Sequence, residues 1–358
     1  MTTAARPHPR RPGVRLALAL AGLALAACGS GSHPPAGVDA APGLPATVTE
    51  RTTEVVGAGG LRLGAVLTLP AAVAGRTAVP AVLIVPGLGA LDHNAVAAAG
   101  TPDAENDTLS SSLNRNSPGS VDPLYQDLAQ ALARAGMASL RYDKRGTAAS
   151  RLPPDRALSL DDEVADAKAA LAFLGERREI GTSPLAVLGH DAGGVIALRA
   201  AAGNPQVRAA VLVSTPGRPL VDVLAGDTTR LRGAALGDQE RAAVASLLAS
   251  GKVPAPASLP ALLRPVLPAG ADAYLVSLFS LDPVAEARAS VVPALLVRGG
   301  ADRTVTADDT DLLAAAFAGR AEVLFGAADA NHNLAGPGGR DTDTADKLST
   351  WVKARLTG

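Results

Sequence analysis

The stretch Gly189-His190-Asp191-Ala192-Gly193 lies between an apolar run and a segment with helical spacing. The apolar run, Leu185–Leu188, predicts a buried strand, and Gly193–Ala201 predicts a helix. Small residues at this point allow the chain to turn sharply between the two elements. Such a turn would hold the side chain of residue 191 at a helix N-terminus, where the helix dipole favours an anion. In a simpler interpretation, Asp191 only caps this helix.

Strand-like and helix-like segments alternate on both sides of the turn. Thr47–Val56 and Leu61–Leu69 predict an antiparallel pair of strands at the start of the domain. The other predicted elements are strands Ala81–Val85, Ala138–Tyr142, Ala209–Ser214, Ala294–Val297 and Ala321–Phe325, and helices Tyr125–Ala135, Leu160–Leu174, Asp308–Phe317 and Thr344–Leu356. This alternation is typical of an α/β protein with a mostly parallel sheet flanked by helices.

One segment departs from the alternation. Residues 216 to about 292 lie between two predicted core strands and contain several helical patches bounded by prolines. We predict that this segment is a helical cap, inserted over the carboxyl edge of the sheet, which roofs a pocket and selects the substrate.

Composition limits the classes of partner. The chain has 358 residues, a net charge of -1 and 47% hydrophobic residues, which is enough for a sizeable core. The near-neutral charge gives no reason to expect nucleic acid as a partner. Asp92 and His93 are possible metal ligands, but no third ligand follows at a suitable spacing. We therefore expect a small-molecule substrate and neither a metal nor a cofactor.

The N-terminal residues have the pattern of an export signal. Four arginines precede the apolar run Leu16–Ala27, which is too short to span a membrane. The run ends in Leu25-Ala26-Ala27-Cys28, which resembles the lipobox of bacterial lipoproteins. The resemblance implies that Cys28 is lipidated and becomes the mature N-terminus. The alternative is an ordinary signal peptide with an incidental cysteine.

This pattern divides the chain into three parts. Residues 1–28 are the predicted signal peptide and lipobox, 29–46 a disordered tether rich in small residues and proline, and 47–358 the folded domain. We expect the protein to be exported and anchored to the outer face of the bacterial cytoplasmic membrane. The membrane would be a partner through the lipid on Cys28.

Three motifs together resemble the α/β-hydrolase superfamily, and most of all its esterase and serine-aminopeptidase-like branch. They are the turn around Asp191, the glycine-containing segment Pro86–Asn94, and Arg141-Tyr142-Asp143-Lys144-Arg145-Gly146. The resemblance covers roughly residues 47–358 and implies an α/β-hydrolase fold. It also implies a nucleophile at position 191 and a site built in the order nucleophile, acid, histidine.

That order selects the other candidate catalytic residues. Of the five histidines, only His332 follows the last predicted strand. Asp302 follows the strand Ala294–Val297, where the acid is expected. The alternatives are a surface histidine and an ordinary turn aspartate. Backbone N–H groups near Leu88 and at Ala192 are the candidate oxyanion hole.

Asp191 departs from the esterase branch, whose members carry serine there. Haloalkane dehalogenases and epoxide hydrolases carry Asp, which can form an ester on the enzyme that a histidine-activated water then cleaves. Those dehalogenases commonly have a tryptophan after the nucleophile, where this chain has Ala192, and epoxide hydrolases use cap tyrosines, of which Tyr274 is the candidate. We predict an active hydrolase that cleaves an ester, epoxide or carbon–halogen bond. Two alternatives remain: an esterase-like enzyme that uses Asp191 as a base, and an inactive ligand-binding homologue.

Overall fold

The structure is a computed structural model that describes residues 48–71, 78–89, 91–96, 123–153, 158–232, 236–264, 267 and 269–358. The predicted signal peptide, Cys28 and the predicted tether lie outside the described residues. Among those that are described, no helix has both the length and the apolar character needed to cross a membrane.

Eight strands form one sheet. They are β1 (Val48–Val56), β2 (Arg62–Pro70), β3 (Ala81–Val85), β4 (Ala138–Tyr142), β5 (Leu185–His190), β6 (Val207–Val213), β7 (Ala294–Arg298) and β8 (Ala321–Phe325). Their order across the sheet is β1-β2-β4-β3-β5-β6-β7-β8. Strand β2 runs antiparallel to β1 and to β4, and the remaining pairs are parallel. The predicted mostly parallel sheet with an antiparallel start is confirmed.

Helices follow or separate these strands. They are α1 (Leu124–Arg134), α2 (Leu160–Gly175), α3 (Gly193–Ala201), α4 (Leu220–Arg232), α5 (Asp238–Ser250), α6 (Asp272–Phe279), α7 (Pro283–Ala289), α8 (Ala307–Ala316) and α9 (Thr342–Thr357). Two very short strands, β9 (Ala335–Gly336) and β10 (Gly339–Arg340), pair with each other before α9. The Ser159 side chain caps α2 by accepting a hydrogen bond from the Asp162 N–H.

The pleat of the sheet separates the core into two layers. On β3, Leu83 packs into a cluster with α2, α3 and α8, while Val82 and Ile84 pack into a second cluster with α1 and α9. Alternate residues of a strand point to opposite faces, so a continuous apolar run supplies both layers. This explains why the central strands are apolar throughout and are covered by helices on both faces.

The predicted cap segment, residues 216–292, contains four helices between β6 and β7. Helix α6 contacts α2, α4 and α5, while α7 contacts α3 and α8. The start of the segment is held to α8, because the buried Asp309 carboxylate accepts hydrogen bonds from the Gly217 N–H and from the backbone and side chain of Arg218. The helical content of this segment is confirmed, and its role in substrate selection stays a prediction.

Candidate active site

The turn between β5 and α3 places Asp191 at the centre of the site. The Asp191 backbone has φ 54°, in the left-handed region that non-glycine residues adopt rarely and at a cost. Its N–H donates to the Val213 carbonyl at 2.9 Å, which holds the turn against β6. A side chain at Gly193 would lie 2.3 Å from the Pro86 carbonyl oxygen, so this position accepts only glycine without a backbone shift. The turn thus forms as predicted, and it brings residue 191 against the loop after β3.

The two oxygens of the Asp191 carboxylate have different surroundings. Oδ2 accepts a hydrogen bond from the Leu88 N–H at 3.1 Å. Oδ1 lies 4.0 Å from Nε2 of His332. Asp191 is 2% exposed and His332 is 8% exposed, so charges here interact through a medium of lower effective dielectric than water.

His332 is oriented by Asp302. Nδ1 of His332 lies 2.9 Å from Oδ2 of Asp302, and the other Asp302 oxygen accepts hydrogen bonds from the N–H groups of Thr304 and Val305. Burial raises the pKa of Asp302, but the positive charge and hydrogen bond of His332 and the two backbone donors outweigh it and lower the pKa to about 2. An ionised Asp302 favours the tautomer of His332 in which Nδ1 carries the proton and Nε2 faces Asp191. The three residues selected from the sequence are brought together, although their catalytic roles stay predictions.

A second histidine supports the loop that carries His332. Nε2 of His190 lies 3.3 Å from the His332 carbonyl oxygen, and Nδ1 lies 3.2 Å from the Tyr125 hydroxyl. Because a carbonyl only accepts, Nε2 carries the proton in a neutral His190, and Nδ1 then accepts from the Tyr125 O–H. The same hydroxyl accepts a hydrogen bond from the Gly87 N–H at 2.8 Å. A buried chain therefore links the loop after β3, the turn and the loop of His332.

The segment that follows β4 holds the loop after β3 from the other side. Lys144 Nζ donates to the Gly87 carbonyl at 3.0 Å, and Asp143 accepts from both the backbone and the ring of His93. Sequence reasoning used this segment only as a mark of resemblance and missed that its side chains fasten the loop that carries Leu88. The signal was available, since the three consecutive charged residues that follow the buried strand, Asp143, Lys144 and Arg145, each need a partner.

Comparisons with known proteins find similarity to hydrolases. The model of the serine aminopeptidase (S33) family matches residues 123–238, a range that includes Lys144 and Asp191. Esterase EstD of Thermotoga maritima is 28% identical over 222 residues, covering 61% of this chain and 51% of the esterase. The chain thus spans about half the length of the curated relative that it matches.

Two solved structures superpose on most of this chain at low sequence identity. A hypothetical protein of Pseudomonas aeruginosa superposes with a TM-score of 0.61 at 18% identity, covering 87% of this chain and 95% of that chain. The α/β hydrolase GrgF of Penicillium sp. sh18 superposes with a TM-score of 0.54 at 18% identity, covering 87% and 100%. The chain has the α/β-hydrolase fold. The fold class predicted from the sequence is confirmed, and the similarity to an esterase supports the predicted hydrolase class.

The two predicted oxyanion donors, the backbone N–H groups of Leu88 and Ala192, lie in different elements: Leu88 is in the loop after β3, and Ala192 is at the start of α3. The Leu88 N–H reaches the carboxylate of Asp191. Ala192 is buried at the N-cap of α3, directly after the nucleophile candidate. Its part in an oxyanion hole stays a prediction.

Tyr274 of α6 belongs to the surroundings of the site. Burial raises the pKa of Tyr274 well above its usual range, the negative charge of Glu163 and a hydrogen bond to its side chain raise it further, and the charge of Asp191 contributes least. The cap segment therefore places a neutral phenol within electrostatic reach of Asp191. Sequence reasoning named Tyr274 but had no means of bringing it to the site.

Asp92 and His93, the possible metal ligands, form hydrogen bonds within the protein. His93 is bound to Asp143, and Asp92 accepts hydrogen bonds from the N–H groups of Asn94 and Val96 within its own turn. Within the part of the chain that the structure describes, no group of three or more His, Cys, Asp or Glu side chains has the arrangement of a metal site.

Proposed function

We propose that this protein is a hydrolase in which Asp191 attacks a saturated carbon of the substrate and forms a covalent ester. One observation carries the proposal: the two oxygens of the Asp191 carboxylate have different partners. Oδ2 accepts a hydrogen bond from the Leu88 N–H, and Oδ1 faces His332, which Asp302 orients. A carboxylate needs no base to become a nucleophile, so this arrangement leaves His332 for the second step.

In the first step, a lone pair of Oδ1 attacks the substrate carbon. The bond between that carbon and its leaving group breaks, and the leaving group takes the electron pair. For an epoxide, the leaving group is the ring oxygen, which stays attached to the substrate and needs a proton. Burial and Glu163 raise the pKa of Tyr274 most, and the charge of Asp191 adds a smaller increase that disappears when the ester forms. Tyr274 therefore becomes a better acid at the moment when the alkoxide develops.

In the second step, Nε2 of His332 takes a proton from water while the hydroxide adds to the Asp191 carboxyl carbon. The negative charge that develops on Oδ2 is stabilised by the Leu88 N–H. Collapse breaks the bond to the alkyl oxygen, which leaves with the proton from His332. The proton that remains on Asp191 restores the Tyr274 phenol, and one carboxylate oxygen now comes from water.

An epoxide is the substrate class that these residues favour. Ala192 places a methyl group where dehalogenases of this fold commonly place a tryptophan for the halide. Tyr274, by contrast, supplies the acid that an epoxide needs and a halide does not.

Ester hydrolysis is a second candidate, and the similarity to esterase EstD supports it. Attack of Asp191 on an ester would give an acid anhydride, which is a much less favourable intermediate. In this reading Asp191 and His332 instead activate water for direct attack, and no covalent intermediate forms. The inactive ligand-binding homologue is the remaining alternative.

A single turnover in oxygen-18 water separates the three. The purified protein is incubated in excess over styrene oxide, bromobutane or p-nitrophenyl butyrate. The mass of the peptide that contains Asp191 is then measured by mass spectrometry. Our proposal expects one heavy oxygen in that peptide after turnover of the epoxide. Turnover of the butyrate without label favours the esterase, and no turnover of any of the three favours the binder.

Two variants complete the test. Asp191→Asn keeps the shape but removes the nucleophile, and we expect activity to fall by several orders of magnitude. Asp191→Ser creates the nucleophile of the esterase branch, and butyrate hydrolysis gained there would show that the rest of an esterase site is intact. Full activity of Asp191→Asn would contradict a nucleophilic role for Asp191, even if the wild-type residue acquired the label.

We also propose that the protein is exported and anchored to the outer face of the cytoplasmic membrane through a lipid on Cys28. The basic residues, short apolar run and small residues before the cysteine support this proposal. We expect the wild type to partition with membranes and Cys28→Ser to lose its lipid and its membrane binding. A wild-type protein whose N-terminal peptide carries no lipid would contradict the proposal.

A further inference from the structure

We infer that Lys144 strengthens the oxyanion donor at Leu88 by polarising the peptide group that joins Gly87 to Leu88. This inference rests on the proposed covalent mechanism. Lys144 would act through the backbone of Gly87 and Leu88, so it is a positioning residue. The proposal gives the buried lysine a role in the second chemical step.

The geometry starts from one peptide unit. The Gly87 carbonyl accepts a hydrogen bond from Lys144 Nζ at 3.0 Å, and the Leu88 N–H of the same unit donates to Asp191 Oδ2 at 3.1 Å. In a trans peptide the C=O and N–H groups point in opposite directions. The ammonium and the carboxylate therefore lie at the two ends of one dipole, and each reinforces it.

Burial makes this polarisation effective. Lys144 is 6% exposed and Asp191 is 2% exposed, so water does not screen the two hydrogen bonds. A charged donor on the carbonyl draws electron density from the peptide nitrogen and makes its N–H a stronger donor. Glu163 lies 3.2 Å from Lys144 Nζ and is the buried counter-charge of the ammonium group.

Lys144 is also fixed in place by its own backbone. Its N–H donates to the Leu91 carbonyl, so Lys144 binds the loop after β3 at two points. The Gly87 N–H is held at the same time by the Tyr125 hydroxyl. With both sides of Gly87 engaged, the Leu88 N–H has one direction available to it, which is toward Asp191.

Polarisation predicts opposite effects on the two steps. In the first step Asp191 loses its negative charge, so a strong donor on Oδ2 stabilises the starting carboxylate and does not accelerate the attack. In the second step a full negative charge develops on Oδ2, and the same donor lowers that barrier. Removing Lys144 should therefore slow decay of the covalent ester without slowing its formation.

The experiment follows the ester directly. Rapid-quench mass spectrometry of the intact protein measures its formation and decay, using whichever of styrene oxide and bromobutane labels wild-type Asp191. In Lys144→Met we expect decay to slow on the order of tenfold, so that the ester accumulates. Formation should be as fast as in the wild type or faster.

Two further variants separate polarisation from stability. Lys144→Met leaves Glu163 as an unpaired buried charge, so the double variant Lys144→Met/Glu163→Gln removes that charge as well. We expect the double variant to recover thermal stability but not the rate of ester decay. Arg199→Met is the matched control. Arg199 lies near the end of α3 and forms an ion pair with Glu286 of α7, so the variant also removes a paired cation but should leave both rates unchanged.

Each result decides between the proposals. Formation and decay that slow together, decay that is unchanged, or a double variant that regains the wild-type decay rate would overturn the role of Lys144 alone. Wild-type protein that forms no ester with either compound would overturn the proposed function, and the inference with it.

Discussion

At the scale of single residues, the Asp302–His332 pair links chemistry to stability. Asp302 is almost fully buried and yet ionised, because His332 and two backbone N–H groups bind its charged form. Its pKa of about 2 in the folded protein lies below the value of 3.8 for an unperturbed aspartate. The folded state therefore binds this proton less readily than the unfolded state does.

This difference predicts how stability depends on pH. The stabilisation is fully present above pH 4 and is lost as the pH falls through about 2, and it amounts to roughly 2 kcal/mol. In Asp302→Asn we expect this part of the pH dependence to disappear from the free energy of unfolding, measured with urea across the acid range. Asp308→Asn, which removes an exposed carboxylate from α8, is the control. Parallel curves for the wild type and Asp302→Asn would contradict the prediction.

The Tyr125 hydroxyl supports a second prediction at this scale. Tyr125→Phe would leave the Gly87 N–H and His190 Nδ1 without the hydroxyl that they share in the buried site. An unsatisfied buried polar group costs about 1–3 kcal/mol, so we expect a loss of stability of that order together with lower activity. In a double-mutant cycle with His190→Asn the two losses should be clearly non-additive, since both residues belong to one chain. Additive losses would show that the chain does not act as a unit.

At the scale of elements, the end of β4 and the residues after it bind the loop after β3 and helix α2 to the sheet. Four charged side chains, one at the end of β4 and three directly after it, bind different parts of the molecule: Arg141 binds Glu50 and Asn94, Asp143 binds His93, Lys144 binds Gly87, and Arg145 binds Asp166. The strand itself is apolar enough to lie in the middle of the sheet. Its polar end is therefore buried where the loop after β3 and helix α2 meet, and this contact positions the candidate oxyanion donor at Leu88.

The turn between β5 and α3 makes the prediction for this scale. A Cβ at Gly193 would lie 2.3 Å from the Pro86 carbonyl and 2.6 Å from that of Val85, and neither backbone atom can move without shifting β3 or the loop after it. We expect Gly193→Ala to destabilise the protein by about 1–3 kcal/mol and to lower activity by displacing Leu88 from Asp191. Thermal unfolding and turnover measure the two effects. Gly338→Ala is the control, because a Cβ there meets nothing within 4 Å.

At the scale of the whole molecule, the core that the described residues form is built from elements between β1 and α9. Both apolar clusters draw their residues from the sheet and from the helices that cover it. We therefore expect a chain that begins at Thr47 to unfold at the same temperature as the full chain, measured by circular dichroism. The control is a chain that also lacks α9, whose Leu348 and Val352 are fully buried, and this chain should not fold stably. A large loss of stability in the first chain would place part of the core before Thr47.

Local sequence was sufficient to predict the elements and the order of the catalytic candidates. The apolar runs of β3, β5 and β7 are continuous because both faces of a parallel sheet are buried, and such a pattern is visible without a structure. The glycine-rich turn, and the positions of Asp302 and His332 after successive strands, are equally local. Parallel strands carry their carboxyl ends to one edge, so residues distant in sequence could be assigned to one site.

Distances and partners were decided only by the tertiary structure. No local pattern shows that Tyr125 meets His190 or that Lys144 reaches the carbonyl of Gly87, because each contact joins elements whose separation depends on how helices and loops pack. The turn that carries Asp191 shows the same division. The sequence by itself placed an aspartate in a sharp turn, whereas the packing of three loops around it gave one of its oxygens a backbone donor and the other a histidine.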